Sequence, residues 1–117
     1  MSRSTRVEFD GACYHIMSRG VARMMTFRDD ADSSSFLEGV GRVVEEGGLV
    51  VHAFCLMPNH YHLLASTPRG QLARWMRHVN GDYGRRFNAR HRRVGHLWQP
   101  RGWRRLRNAS RMHKNEK

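Results

Sequence analysis

The stretch "VHAFCLMPNHYHLL", residues 51–64, contains two strand-like runs separated by a proline and an asparagine. The first run, counted from residue 49, is almost wholly apolar, and the second begins with His60. Pro58 and Asn59 are residue types that favour a tight turn. The pattern therefore predicts a β-hairpin, with a buried strand over residues 49–56 and its partner over residues 60–66.

The segments on either side of this hairpin complete an α+β pattern. "CYHIMSR", residues 13–19, predicts a first strand, and "VGHLWQ", residues 94–99, predicts a short final one. Two helices are predicted where apolar residues recur every three or four positions, namely Phe36, Leu37, Val40, Val43 and Val44, and then Leu72, Trp75, Met76, Val79 and Tyr83. The resulting order β-α-β-β-α-β is typical of a ferredoxin-like sandwich with an antiparallel sheet.

The chain length suits one domain, because 117 residues can bury one core and are too few for two. We expect this domain to span residues 1–101. Residues 102–117 contain few large apolar side chains among many cations, so we expect a basic, disordered or loosely docked tail.

Positive charge is concentrated in the second half of the chain. Residues 1–66 hold six arginines and eight acidic residues, a net charge of −2, whereas residues 67–117 hold fifteen basic and two acidic residues, a net charge of +13. A half of this kind attracts phosphate backbones by releasing their counterions. The charge therefore indicates a nucleic-acid partner, although an inert basic surface would have the same composition.

Nothing in the sequence indicates secretion or a membrane. Cys13 and Cys55 lie far apart and form no disulfide framework, which favours a reducing cytoplasm. The first residues lack the apolar core of a signal peptide, and no apolar run approaches the roughly 20 residues of a membrane span. We therefore expect a cytoplasmic protein.

His60 and His62 are the candidate metal ligands. Successive side chains of a strand point to opposite faces, so the two histidines should project together while Tyr61 points into the core. Two imidazoles about 7 Å apart along a strand can converge on one divalent ion. Alternatively, they are half-exposed strand residues without a ligand, since two ligands do not complete a metal site.

"MPNHYHLL" resembles the histidine-hydrophobic-histidine motif of the IS200-like, single-tyrosine transposases, and in particular of the REP-associated tyrosine transposases. The similarity extends in order and spacing through "YHIMSRG", "FRDDAD" and "LARWMRHVNGDYGRRFNARHRRVGHLWQ". The resemblance implies that His60 and His62 hold Mg²⁺ or Mn²⁺ against a scissile DNA phosphate, and that a tyrosine forms a covalent 5′-phosphotyrosine with single-stranded DNA. It also implies hairpin-bearing DNA as the partner and assembly as a homodimer.

The sequence departs from the family where the nucleophile is expected. In the family that tyrosine lies on a further helix beyond the histidine pair, but no tyrosine follows Tyr83 here. We therefore expect the tyrosine helix to be missing and cleavage to be impaired or absent. Tyr83 remains the candidate nucleophile, although its place on the apolar stripe favours a role in the core. The candidates for a third metal ligand are His52, His78, His91 and His96.

Arginines of the second half form the predicted DNA-binding set: Arg69, Arg74, Arg77, Arg85, Arg86, Arg90, Arg92, Arg93 and Arg101. Trp98 and Trp103 lie among these cations and are candidates for stacking on bases. The rival interpretation is a non-catalytic, ferredoxin-like nucleic-acid-binding module in which the histidines are structural. Metal binding that depends on the histidines would distinguish the two.

Overall fold

The computed structural model describes residues 11–100 and 103–106, which form an antiparallel sheet and two helices. The elements are β1 (Ala12–Arg19), α1 (Asp30–Glu45), β2 (Val50–Met57), β3 (His60–Thr67), α2 (Leu72–His91) and β4 (Trp103–Arg105). A single 3₁₀ turn, Val21–Arg23, follows β1. The sheet order is β2-β3-β1-β4, and every neighbouring pair is antiparallel. The predicted α+β sandwich is therefore confirmed.

Both helices pack on one face of the sheet. Alternate residues of β1 and β3 are buried, and they form one core with the apolar stripes of α1 and α2. Phe36 of α1 contacts Tyr61 of β3, and the rings of Phe36 and Tyr83 meet edge to face. The intervening side chains of β1 and β3 are half-buried on the opposite face, which we call the open face.

The ends of α1 follow from local chemistry. Asp29 caps its N-terminus by accepting a hydrogen bond from the Asp32 backbone N–H at 3.0 Å. After the helix ends, Gly47 adopts a positive φ of 81° and Gly48 lies against Trp75. A Cβ atom at position 48 would come within 2.3 Å of the Trp75 ring, so the approach of this loop to α2 requires glycine.

The strand at the start of the hairpin is at the edge of the sheet, and the prediction that it is buried is wrong. Among the described residues β2 pairs only with β3, and most of its residues are exposed, including Phe54 with an exposed fraction of 54%. The hairpin itself is confirmed, since Met57 pairs with His60 across the turn formed by Pro58 and Asn59. An apolar run cannot distinguish a central strand from an edge strand, because strand order depends on the rest of the chain.

The final strand lies later in the chain than residues 94–99. Within that segment only Trp98 forms a bridge, to Gly20, while the Val21 N–H donates to the Leu97 carbonyl at 2.9 Å. The strand that completes the sheet is instead β4, paired with β1. β4 falls within residues 102–117, the segment expected to be a disordered or loosely docked tail; residues 103–105 form a strand on the sheet, and residues 102 and 107–117 lie outside the described residues.

Neither helix of the described part of the chain is long and apolar enough to cross a membrane.

Candidate functional site

The open face of the sheet brings three histidines together. His60 and His62 both project from β3 onto this face, as strand alternation predicts, and their ring centroids are 5.1 Å apart. His15 of the neighbouring strand β1 joins them. Its Nε2 atom shares a hydrogen bond of 3.0 Å with Nδ1 of His62, and the two rings are stacked with centroids 5.2 Å apart.

Asn59, the second residue of the hairpin turn, fixes the first histidine of the pair. Its side-chain Oδ1 lies 2.8 Å from Nδ1 of His60. The asparagine is anchored in turn, because its carbonyl accepts the Gly20 N–H at 2.9 Å and its Nδ2 donates to the Arg23 carbonyl at 3.4 Å. The turn that reverses the chain therefore also orients an imidazole.

Two arginines place positive charge next to the histidines. Partial burial, the neighbouring His62 ring and the charge of Arg104 lower the pKa of His15. Partial burial, His62 and the charge of Arg19 likewise lower the pKa of His60. Lower pKa values favour the neutral imidazole at neutral pH, which is the form that binds a metal ion.

The imidazole nitrogens of His60 and His62 suit a divalent transition-metal ion, and they would fill only part of its coordination shell. Neutral imidazole is a good ligand for such ions, whereas Mg²⁺ prefers oxygen ligands. Within residues 11–100 and 103–106, no three His, Cys, Asp or Glu side chains form a ready-made metal cluster. His60 and His62 would therefore supply two ligands, and the remaining positions would be open to water or to phosphate oxygens.

The chain's three tyrosines are buried on the opposite face of the sheet from the histidine pair. Tyr14 has an exposed fraction of 2%, Tyr61 of 0% and Tyr83 of 1%. Tyr83 donates a hydrogen bond to the Thr26 carbonyl, and burial raises its pKa above the ordinary value. The structure therefore does not bring Tyr83 together with His60 and His62, and its surroundings disfavour the phenolate form.

The four histidines considered as third ligands lie elsewhere. His91 bonds to the buried carboxylate of Asp32 at 3.0 Å, and His52 bonds to the Ser66 hydroxyl at 2.8 Å. His78 is on α2 beside Trp75, and His96 is exposed in the loop after α2. None of the four contacts the histidine pair within the described residues.

The predicted DNA-binding arginines divide into two groups. Several are held within the protein: Arg86 by Asp82, Arg90 by Asp29 and Asp32, Arg93 by Asn88 and loop carbonyls, Arg69 by the Glu46 carbonyl, and Arg74 by Gln71. Arg77, Arg85 and Arg92 are exposed, whereas Arg101 lies outside the described residues. Arg77, Arg85 and Arg92 are the better candidates for contacts with phosphates, because within the described residues their side chains have no hydrogen-bond or ion-pair partner to give up, unlike the also exposed Arg69, Arg74 and Arg90.

Arg77 and Arg85 line a groove between α2 and β4 with a volume of about 690 Å³. On the α2 side, Gly81 and Gly84 have no side chains to fill the groove, and Trp98 and Trp103 form part of the opposite side. The buried indole N–H of Trp98 has no hydrogen-bond partner among the described residues. Cations beside aromatic rings are the combination that binds single-stranded nucleic acid.

The sequence profile of the family described as "Transposase IS200 like" matches residues 9–115. The chain belongs to the IS200-like transposase family. The resemblance carried by the histidine motif is thereby confirmed. No curated protein matches the sequence.

Solved transposase structures share the fold. One, described as the REP-associated tyrosine transposase bound to a REP hairpin, is 15% identical with a TM-score of 0.71, over 94% of this chain and 65% of that one. A second, from Deinococcus radiodurans R1 and assigned as a transposase, is 18% identical with a TM-score of 0.62, over 94% of this chain and 88% of that one. The chain thus spans about 65% of the length of the hairpin-bound protein.

Three residues of the open face were missed at the level of sequence: His15, Arg19 and Arg104. The alternation of β1 contains a partial signal, since His15 and Arg19 must face away from Tyr14 and Ile16 once the latter are assigned to the core. Their approach to the histidine pair depends on β1 lying between β3 and β4, which strand periodicity does not specify.

Proposed function

We propose that this chain binds single-stranded and hairpin DNA, and that His60 and His62 hold a divalent ion against one DNA phosphate. The observation that carries the proposal is the histidine pair on the open face, flanked by Arg19 and Arg104, in a member of the IS200-like family. When bound, such an ion supplies Lewis-acid polarisation of the phosphodiester and neutralises its charge. Because its ligands are imidazoles, Mn²⁺ suits the pair better than Mg²⁺ does.

The charged surfaces suggest a path for the DNA around the β4 edge of the sheet. Trp103 shares the helix-covered face with its partner Ile16, while Arg104, opposite His15, is on the open face. A single strand could therefore lie in the groove beside Arg77 and Arg85, cross β4, and place a phosphate near His62. In this arrangement the arginines bind phosphates and the tryptophans stack on bases.

A binding assay with paired charge variants tests this path. Arg77→Gln/Arg85→Gln should weaken the binding of a fluorescent hairpin-ended DNA and reduce the slope of log K against log[salt] by about 1.4, since each phosphate contact to a single strand contributes about 0.7. Arg28→Gln/Arg42→Gln is the control for lost charge, because both arginines are exposed and lie outside the groove. Since Arg42 is paired with Asp82 and Arg28 lies over Phe87, the folded state of this variant is checked by thermal unfolding. Equal losses of DNA affinity in the two double variants would mean that only net charge matters, and would refute the path.

For the chemical step we propose that these 117 residues do not form the phosphotyrosine used by the family, because all three tyrosines are buried away from the histidines. These residues then act in metal-assisted DNA binding rather than in cleavage and rejoining through a tyrosine. The test is incubation with Mn²⁺ and hairpin-ended single-stranded DNA, followed by denaturing electrophoresis. A covalent adduct that disappears in Tyr83→Phe would overturn this part of the proposal.

We further propose that a second copy pairs with the edge of β2. This strand has no neighbour on its outer side within the described residues, and it exposes Val50, Phe54 and Met57. Light scattering should detect a dimer that Phe54→Lys dissociates, with His78→Lys on α2 as the control for added charge. A monomer at all concentrations would exclude this interface.

A further inference from the structure

In both histidines of the pair, Nδ1 is the ring nitrogen that lies within hydrogen-bond distance of another side chain. Nδ1 of His60 lies 2.8 Å from Oδ1 of Asn59, and Nδ1 of His62 lies 3.0 Å from Nε2 of His15. No protein group within the described residues bonds to Nε2 of His60 or His62 in this way. A neutral imidazole carries one N–H and one lone pair, so the partner of one nitrogen determines what the other can bind.

The orientation of the Asn59 amide fixes the tautomer of His60. Its Nδ2 donates to the Arg23 carbonyl, so its Oδ1 is the atom that faces His60 and can only accept. Nδ1 of His60 must therefore carry the hydrogen, and Nε2 keeps the lone pair. The Arg23 carbonyl is presented by a 3₁₀ turn in which Ala22 and Arg23 have positive φ values of 51° and 60°.

At His62 the neighbouring group is a second imidazole, which can accept or donate. If Nδ1 of His62 donates to Nε2 of His15, then Nε2 of His62 retains a lone pair, as in His60. The reverse arrangement would protonate Nε2 of His62 and remove it as a ligand. A metal-binding histidine usually donates its other ring N–H to an acceptor that fixes the tautomer and ring orientation.

We propose that Asn59 and His15 are positioning residues: each accepts a hydrogen bond from Nδ1 of one histidine and leaves its Nε2 for the metal ion. The inference deepens the proposed function and rests on its metal site. It assigns a purpose to the asparagine of the hairpin turn and to the histidine of β1. His15 is then not itself a ligand.

The tautomers can be read in the metal-free protein, so the inference is testable separately from the proposed function. In ¹⁵N-labelled protein above the histidine pKa range, two-dimensional ¹⁵N–¹H spectra should show the Nδ1–H form for both His60 and His62. The Nε2–H form at either residue would overturn the inference for that residue. This result stands whether or not the protein binds a metal, whereas failure of wild type to bind Mn²⁺ would overturn the proposed function.

Metal titrations then separate positioning from direct ligation. Asn59→Ala and His15→Ala should each weaken Mn²⁺ binding by about 10–100-fold, the usual cost of removing a partner of this kind. Asn59→Asp and His15→Gln retain an acceptor and should recover most of the affinity. His52→Ala is the control, since His52 is on the same sheet and bonds to Ser66. His15→Gln binding as weakly as His15→Ala would make His15 a direct ligand, and unchanged affinity in His15→Ala would make it neither.

Discussion

Tyr61→Phe tests how the strand that carries the histidines is held. The Tyr61 hydroxyl donates to Oδ1 of Asn80 at 2.6 Å and accepts from the Ser18 hydroxyl at 3.2 Å. Nδ2 of Asn80 donates to Ser18 at 3.2 Å, which closes a three-residue network in the core. Because Tyr61 separates His60 from His62, this network anchors β3 with the histidines facing outward.

The magnitude follows from the hydrogen bonds lost, since phenylalanine keeps the ring and its packing. Two bonds are removed and the Asn80 oxygen loses its donor, so the free energy of unfolding should fall by about 1–3 kcal/mol. For a domain of this size each 1 kcal/mol corresponds to roughly 4–8 °C in melting temperature. The variant should therefore melt about 10 °C below wild type.

Urea unfolding at 25 °C, followed by tryptophan fluorescence, measures the loss. Tyr61→Phe/Asn80→Leu, compared with its two single variants, should give a coupling energy of at least about 0.5 kcal/mol, because the two residues share one network. A Tyr61→Phe variant within about 0.3 kcal/mol of wild type, or strictly additive losses, would refute the anchoring role.

Two further predictions concern stability. Gly48→Ala should destabilise the protein by about 1–3 kcal/mol, because its methyl group would overlap the Trp75 ring. Gly41→Ala is the control at a helix position with open space, and it should stabilise the protein by about 0.5–1 kcal/mol. Thermal unfolding measures both changes, and equal effects would contradict the packing of Gly48 against Trp75. The hydrogen bond from Arg90 lowers the pKa of Asp29 in the folded protein. The ionised carboxyl therefore stabilises the fold at pH values above about 3.9, the pKa of aspartate in the unfolded chain, and this contribution is lost as the pH falls through the folded pKa. The stability advantage of wild type over Asp29→Asn should therefore be largest at pH 7 and shrink below about pH 4 in urea titrations, and an advantage that grows in acid would contradict the sign.

Local patterns predicted most of the fold. The alternation of β1 and β3 and the stripes of both helices reflect nearest-neighbour geometry, so they can be read without knowing the tertiary structure. The exposure of β2 and the position of β4 could not be read in this way. Each depends on which strand occupies which edge of the sheet, and the short run of residues 103–105 contains only one large apolar side chain.

Only the part of the candidate site that lies on one strand could be predicted from the sequence. Residues i and i+2 of a strand must share a face, so His60 and His62 could be paired from the sequence alone. His15 is 47 residues away from His62 and reaches it only through the antiparallel register of β1 and β3. The sequence also could not show which arginines are available to DNA, because it gives their charge but not their partners. Arg90 is bound to two carboxylates, whereas Arg77 borders the groove.

The central claim is that the histidine pair binds a metal ion, and calorimetric titration with Mn²⁺ tests it most directly. Wild type should bind one ion per chain, His60→Ala/His62→Ala should lose that binding, and His78→Ala/His96→Ala, which removes two histidines away from the pair, should retain it. The folded state of each variant is checked by its unfolding transition without metal. Absence of binding by wild type, or equal binding by His60→Ala/His62→Ala, would contradict the account and favour a nucleic-acid-binding module with structural histidines.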